Sequence, residues 1–243
     1  MSLDILGLAA GIEVEDLTDS LGGGTKDTGV YPYKLVTIYL EKTEKGSLMA
    51  NILLEDSAKR KFVDSQCIMS NKSGTLLATY KDKNSGKPVP LPGYSHVLNL
   101  IRLVTGKAFK DLAAVPSTKK VIPVTVWENN RPKDVNKECT CFDVSANVLV
   151  ALLKEKHDKT KKEGDGRVPT GETYFRNEVS RYFNEAGLTQ DEVKTGAIEP
   201  KFKSQWEAAY VGKEFDKTDK TAGATAGAPI LTGSGVSTNT LDL

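Results

Sequence analysis

The 243-residue sequence is short of several things, and each shortage narrows what the chain can be. It has no run of about 18 apolar residues, which leaves no candidate for a transmembrane helix. The opening Met1-Ser2-Leu3-Asp4-Ile5-Leu6 lacks the positive segment of a secretory signal, so export is not expected. Three cysteines (Cys67, Cys139 and Cys141) make an odd set with two members only two residues apart, which implies no disulfide framework and fits a reducing, cytoplasmic compartment. The only histidines are His96 and His157, and Cys139-x-Cys141 lacks the C-x₂-C spacing of a zinc ribbon, so the cysteine pair reads as small apolar residues of a strand. No G-x-S-x-G is present for a Ser–His hydrolase. Thr105-Gly106-Lys107 falls short of a phosphate loop, which needs Gly where Ile101 stands and Ser or Thr where Ala108 stands. The Gly22-Gly23-Gly24 run follows no strand and opens no helix, so it is no dinucleotide fingerprint. The expectation is a chain that is not an enzyme, without metal or cofactor.

What is present is charge, unevenly spread. The formal net charge is only +1, yet residues 1–30 carry net −5, residues 31–80 net +2, residues 81–162 net +8 and residues 163–243 net −4. A basic middle between acidic ends suits a polyanion-binding body, and equally a solvated Lys-rich surface. Charge alone does not choose between them.

Periodicity gives the organisation. Residues 1–29 hold Leu6-Gly7-Leu8-Ala9 and the glycine run without a sustained period, and read as a leader packed on the body or capping an edge. From Val30 the pattern alternates. Leu35 to Leu40 form one strand, Leu48 to Leu54 a second after the Glu44-Lys45-Gly46 turn, and about Lys61–Met69 a third, together an antiparallel meander. Tyr94, Val97, Leu98, Ile101 and Val104 then share a helical face, with Gly106 as the stop. Strands return at Lys119–Trp127, where Pro123 argues for an edge, and at about Asn136–Val144. Val148–Leu153 is ambiguous by period and is assigned as a strand. Thr189-Gln190-Asp191-Glu192 fits a capping box, and Glu199-Pro200 opens a helix whose Phe202, Trp206, Ala209 and Tyr210 form a core-facing seam. Residues 216–243, rich in Thr, Ala, Gly and Ser, read as a flexible tail.

Three strands, a helix and further strands give the order of an OB-like Greek-key β-barrel, although other α+β domains share that order. The expected fold is mostly β with α additions: a nucleic-acid-binding body over 30–183, a helical extension over 184–215 and the tail. In such a barrel the loops after strands one and four face the ligand. Here they carry Lys42 and Lys45, and Arg131 and Lys133. Lys72, Tyr80, Lys81, Lys83 and Lys87 cluster after the third strand, Tyr39 and Phe62 lie on the strands before it, Trp127 ends the fourth, and Lys154 and Lys156 leave the last. Single strands are bound without sequence preference by cations for phosphates and ring faces for bases. Each ring alone is more often core than platform; the combination with a +8 block raises the nucleic-acid reading.

An ordered set of short motifs adds to this. It runs from Leu6-Gly7-Leu8-Ala9 and Asp19-Ser20-Leu21-Gly22-Gly23-Gly24 through Val30-Tyr31 with Lys34, Leu91-Pro92-Gly93-Tyr94 and Leu103-Val104-Thr105-Gly106-Lys107. It continues to Thr170-Gly171-Glu172, Asn177-Glu178 with Phe183, Leu188-Thr189, and Trp206 before an Ala/Gly-rich tail. The chain thereby resembles the single-stranded DNA-binding proteins of short-tailed (podovirus-type) bacteriophages that encode their own replication machinery. The resemblance implies coating of single-stranded DNA in replication and recombination in the cytoplasm of an infected bacterium. Partners would be single-stranded DNA and replication or transcription proteins, with no membrane. One departure is the tail, which carries only Asp242 after Lys220 where many such proteins end in a strongly acidic segment. The rival reading is a protein–protein adaptor of a phage replication or transcription apparatus.

Overall fold

The computed structural model describes residues 25–107, 115–128, 131–163 and 166–218, with only the backbone at 125–128, 131, 132, 134, 162, 166 and 167. The leader up to residue 24 and the tail from residue 219 lie outside the described residues.

The expected meander is present as β1 (Gly29–Lys42), β2 (Leu48–Glu55) and β3 (Lys61–Lys72), antiparallel in sequence order. The chain then makes three short strands, β4 (Thr75–Leu77) on β3, and β5 (Thr79–Lys81) with β6 (Pro88–Pro90) as a separate ladder. Helix α1 (Pro92–Thr105) follows, and Gly106 closes it in the left-handed conformation (φ 65°), its N–H donating to the Arg102 carbonyl at 2.8 Å. Its buried face is Gly93, Val97, Leu100, Ile101 and Leu103, whereas the expected Tyr94 and Val104 sit at the rim. The seam is turned because Gly93 lies on the backbone of β3: a Cβ there would stand 2.5 Å from the Cys67 carbonyl oxygen.

Two long hairpins complete the sheet, β7 (Ser117–Glu128) with β8 (Arg131–Phe142) and β9 (Ala146–Glu163) with β10 (Gly166–Phe183). Strand β1 is the shared element. Along one edge it pairs with β2; along the other, Gly29–Leu35 pairs with β9 and Ile38–Leu40 with β8. A bulge between Leu35 and Thr37 reverses the facing of side chains midway. Leu35 and Ile38 consequently share one core with Ile52, Leu54, Leu100, Val148 and Leu152, while Tyr39 enters a second with Leu53, Ile122, Val124, Cys139 and Cys141. Each fully buried aliphatic side chain here stabilises the fold by about 1.5–3 kcal/mol relative to exposure.

The ends of the sheet approach one another. Asp64 of β3 is buried and accepts from Tyr182 Oη of β10 (2.8 Å) and Gln66 Nε2 (2.6 Å), and its Oδ2 lies 3.2 Å from His96 Nε2 of α1. Among the described residues no ladder joins β10 to β3, so the antiparallel sheet curls without closing. The fold is mostly β with few helices, as expected, and the sheet is not closed: side chains from β3, β10 and α1 fill the gap where backbone pairing would have to run.

At the C-terminal side, Thr189 forms the expected capping box with Glu192 at the start of the short α2 (Gln190–Lys194). In α3 (Lys201–Tyr210) Pro200 is the N-cap, one position before the expected one. The anticipated seam narrows to Trp206, which is buried on Ala151 and Phe183 and donates from Nε1 to Ser180 Oγ at 3.2 Å. Phe202 and Tyr210 stay over a third exposed, because one short helix over two strands covers only its central line. Residues 214–216, expected in part as tail, form β11 (Glu214–Asp216), paired parallel with β9.

Candidate nucleic-acid interface

The densest group of expected contacts follows β3. Ser73 (φ 51°) and Gly74 (φ 86°) make the tight turn into β4, Lys72 pairing with Thr75 across it. Tyr80 pairs with Val89 in the β5–β6 ladder, and Lys81 with Pro88. The connecting turn is held by Asp82, whose Oδ1 accepts from the Asn84 and Ser85 N–H groups and the Ser85 hydroxyl at 2.7–3.1 Å. Those bonds, led by the Ser85 N–H, hold the Asp82 carboxyl below its ordinary range. This acid is thus occupied by its own turn. Lys72, Lys81, Lys83 and Lys87 are exposed, and none makes an ion pair among the described residues. Tyr80 is 40% exposed.

A neighbouring turn is tied to this region. Asn71 Nδ2 donates to the Lys45 carbonyl (2.9 Å) and the Asn71 N–H to Ser47 Oγ (3.3 Å), which holds the β1–β2 turn, with exposed Lys42 and Lys45, against the end of β3. Gly46 there has φ 81°, and a Cβ would stand 2.6 Å from Asn71 Nδ2. Lys42, Lys45 and Lys72 are therefore brought to one end of the β1–β3 meander, and Tyr80, Lys81, Lys83 and Lys87 lie on the β5–β6 hairpin that follows.

The rest separate from it. Tyr39 is 4% exposed, and burial raises its hydroxyl pKa to about 12. Its ring is a core element; the expectation that it offers a stacking face is corrected by the β7–β8 hairpin lying over it. Phe62 is half-buried against Tyr33, with ring centroids 6.2 Å apart. Lys133 is exposed on β8, and Trp127 and Arg131 flank that hairpin's turn, where their side chains lie outside the described ones. Lys154 is held by Asp27 (3.2 Å) and Glu214 (2.6 Å), and Lys156 is half-buried beside β11. The other lysines of the basic block are largely paired: Lys119 with Glu138, Lys120 with Asp143 and Lys137 with Glu41.

Residues that sequence reasoning passed over lie on the β9–β10 hairpin. Tyr174 and Phe175 are 41% and 39% exposed, His157 stacks on Tyr174 at 5.8 Å, and the Lys154 ammonium lies 4.9 Å above the Phe175 ring. The available signal was the adjacent ring pair between Glu172 and Arg176, without apolar alternation around it. A cleft of about 490 Å³ opens between α1, β10 and α2, lined by Ser95, His96, Arg181, Glu192 and Phe202 among others. Its hydroxyl Ser180 already accepts from Trp206. Among the described residues no group of three or more His, Cys, Asp or Glu is placed to hold a metal ion, and no helix is long and apolar enough to cross a membrane. Comparisons with protein-family models, curated proteins and solved structures return no match.

Proposed function

We propose that this chain is a non-catalytic single-stranded DNA-binding protein that coats DNA during phage replication and recombination in the cytoplasm of the infected host. One observation carries the reading: four exposed lysines between residues 72 and 87 make no ion pair among the described residues, and an exposed tyrosine lies in the same segment. Ammonium groups without protein counter-charges hold solution ions, and a polyanion gains affinity by releasing them. A half-exposed ring beside them offers a face on which any base can stack, giving attachment without sequence preference. The curled sheet is read as an OB-like barrel whose seam is filled by side chains, with β1 shared between its two halves. The ordered motifs described above supply the phage context and the expectation of replication or transcription partners.

The test is an electrophoretic titration of the full chain with oligo(dT) and with a duplex of equal length at several salt concentrations. Preference for oligo(dT) is expected. For about five phosphate contacts, the log–log dependence of affinity on salt should have a slope near −3 to −4. Absence of binding at low salt would refute the reading and leave the adaptor.

A further inference from the structure

The register of the sheet leaves one part of the molecule standing beyond its core. The pairing of β1 with β9 ends at Gly29 opposite Leu152, and β11 flanks β9 only as far as Lys156. From there to Glu163 and Gly166, β9 and β10 continue as a two-stranded ribbon with a bulge between Pro169 and Thr173. Two consecutive aromatic residues at its root are well exposed, Tyr174 and Phe175. Neighbours on a strand point to opposite faces, so each face of the ribbon carries one ring. Each ring is backed from one side only. His157 stacks on Tyr174 and is itself fixed by Glu155 at 2.9 Å, while the Lys154 ammonium lies over Phe175. Lys156, opposite Phe175, and Lys161, further along the ribbon, make no ion pair among the described residues.

A ring propped from behind and open in front, with cations close by, has the form of a stacking step. We propose that the β9–β10 ribbon is a second single-strand contact, in which bases stack on Tyr174 and Phe175 while Lys156 and Lys161 meet the flanking phosphates. This rests on the single-stranded DNA reading above. The two contacts lie at opposite ends of β1. Lys42 pairs with Leu48, which pairs with Met69 near the lysine-rich turns, whereas the ribbon departs past Gly29. Fourteen residues of strand span roughly 45 Å at about 3.3 Å each. A long strand engages both ends, and a short one engages only one at a time.

The full chain is titrated with a long and a short oligo(dT) and with a long duplex, alongside Tyr80→Ala and the double variant Tyr174→Leu with Phe175→Leu. Leucine keeps apolar volume and removes the π-face, so the thermal midpoint should hold. The double variant is expected to lose roughly five- to 150-fold in affinity per ring engaged on the long oligo(dT) and much less on the short one. A second variant, Lys156→Gln with Lys161→Gln, should make the salt slope shallower by about 1.4. If Tyr80→Ala weakens binding while both ribbon variants bind the long strand as the wild type does, the ribbon contact is refuted and the first reading stands. A loss seen on duplex and not on oligo(dT) overturns the proposal in favour of a groove-binding ribbon. If the wild type binds no oligo(dT), the underlying reading is overturned and this inference with it.

Discussion

Two lysine-rich regions look alike in the sequence and differ in the folded chain. Between residues 72 and 87 the exposed ammonium groups of Lys72, Lys81, Lys83 and Lys87 are unpaired among the described residues. On the β7–β8 hairpin, Lys119, Lys120 and Lys137 meet Glu138, Asp143 and Glu41. Charge per segment therefore overstates what a polyanion can use. A lysine paired with a carboxylate contributes little net field, and a phosphate that displaced the acid would face its repulsion. The difference lies in what faces each lysine: Lys119 and Lys137 have acids on the adjacent strand and Lys120 one just past its end, whereas Lys72 faces Thr75, Lys81 faces Pro88, and Lys83 and Lys87 sit in the turn between β5 and β6.

The largest effect should come from replacing Lys72, Lys81, Lys83 and Lys87 together with glutamine. Oligo(dT) affinity is expected to fall by about a hundredfold or more, and the salt slope to lose about 3. An unchanged slope would abolish the contrast between the regions. The contrast also applies to rings. Tyr39→Ala should destabilise the fold by about 3–5 kcal/mol, as for a buried aromatic. Tyr80→Ala should leave the melting transition in place and weaken single-strand binding roughly five- to 150-fold. Both are checked by thermal melting paired with titration. A depressed transition for Tyr80→Ala would make it a core residue.

Smaller effects are expected from the paired set. Lys119→Gln with Lys120→Gln and Lys137→Gln should change oligo(dT) affinity far less than the first set does, and should barely move the thermal midpoint, since exposed ion pairs add little to stability. A loss equal to that of the turn lysines would show that the pairs open for DNA. The smallest effect is read at alkaline pH. Burial raises the Tyr39 hydroxyl to about 12 and that of Tyr182 well above 10, so the folded chain holds these protons where the unfolded chain releases them. Their contribution is complete below about pH 10 and is lost as pH rises toward 12. Tyr39→Phe should flatten part of that loss in denaturant titrations between these values.

The meander, α1 and its Gly106 stop, most of β7 and β8, the start of β9 and the Thr189 capping box were legible because each buries one face or closes one end, which imposes a period or a cap on the sequence. β10 was not legible. Half of Gly166–Phe183 lies on a ribbon with neither face buried, so no alternation is required, and bulges at Pro169/Thr173 and Val179/Arg181 break what remains. Of the site, the cluster at 72–87 could be read because turns display their polar residues. The burial of Tyr39 could not, since it depends on a hairpin a hundred residues later in the chain folding over its face. The pairing of Lys154 with Glu214 hangs on β11, three residues with no pattern of their own.

The position of β1 also has a consequence for synthesis. Gly29 to Leu35 hydrogen-bond to residues 146–152, more than a hundred positions later. On a ribosome adding about 5–20 residues per second, β1 waits roughly 5–20 s before its other edge has a partner. Throughout that interval a strand containing Leu35, Ile38 and Leu40 presents an unpaired edge, the template on which nascent chains join one another. Soluble yield should therefore depend on translation speed and on the chaperones that meet the emerging chain.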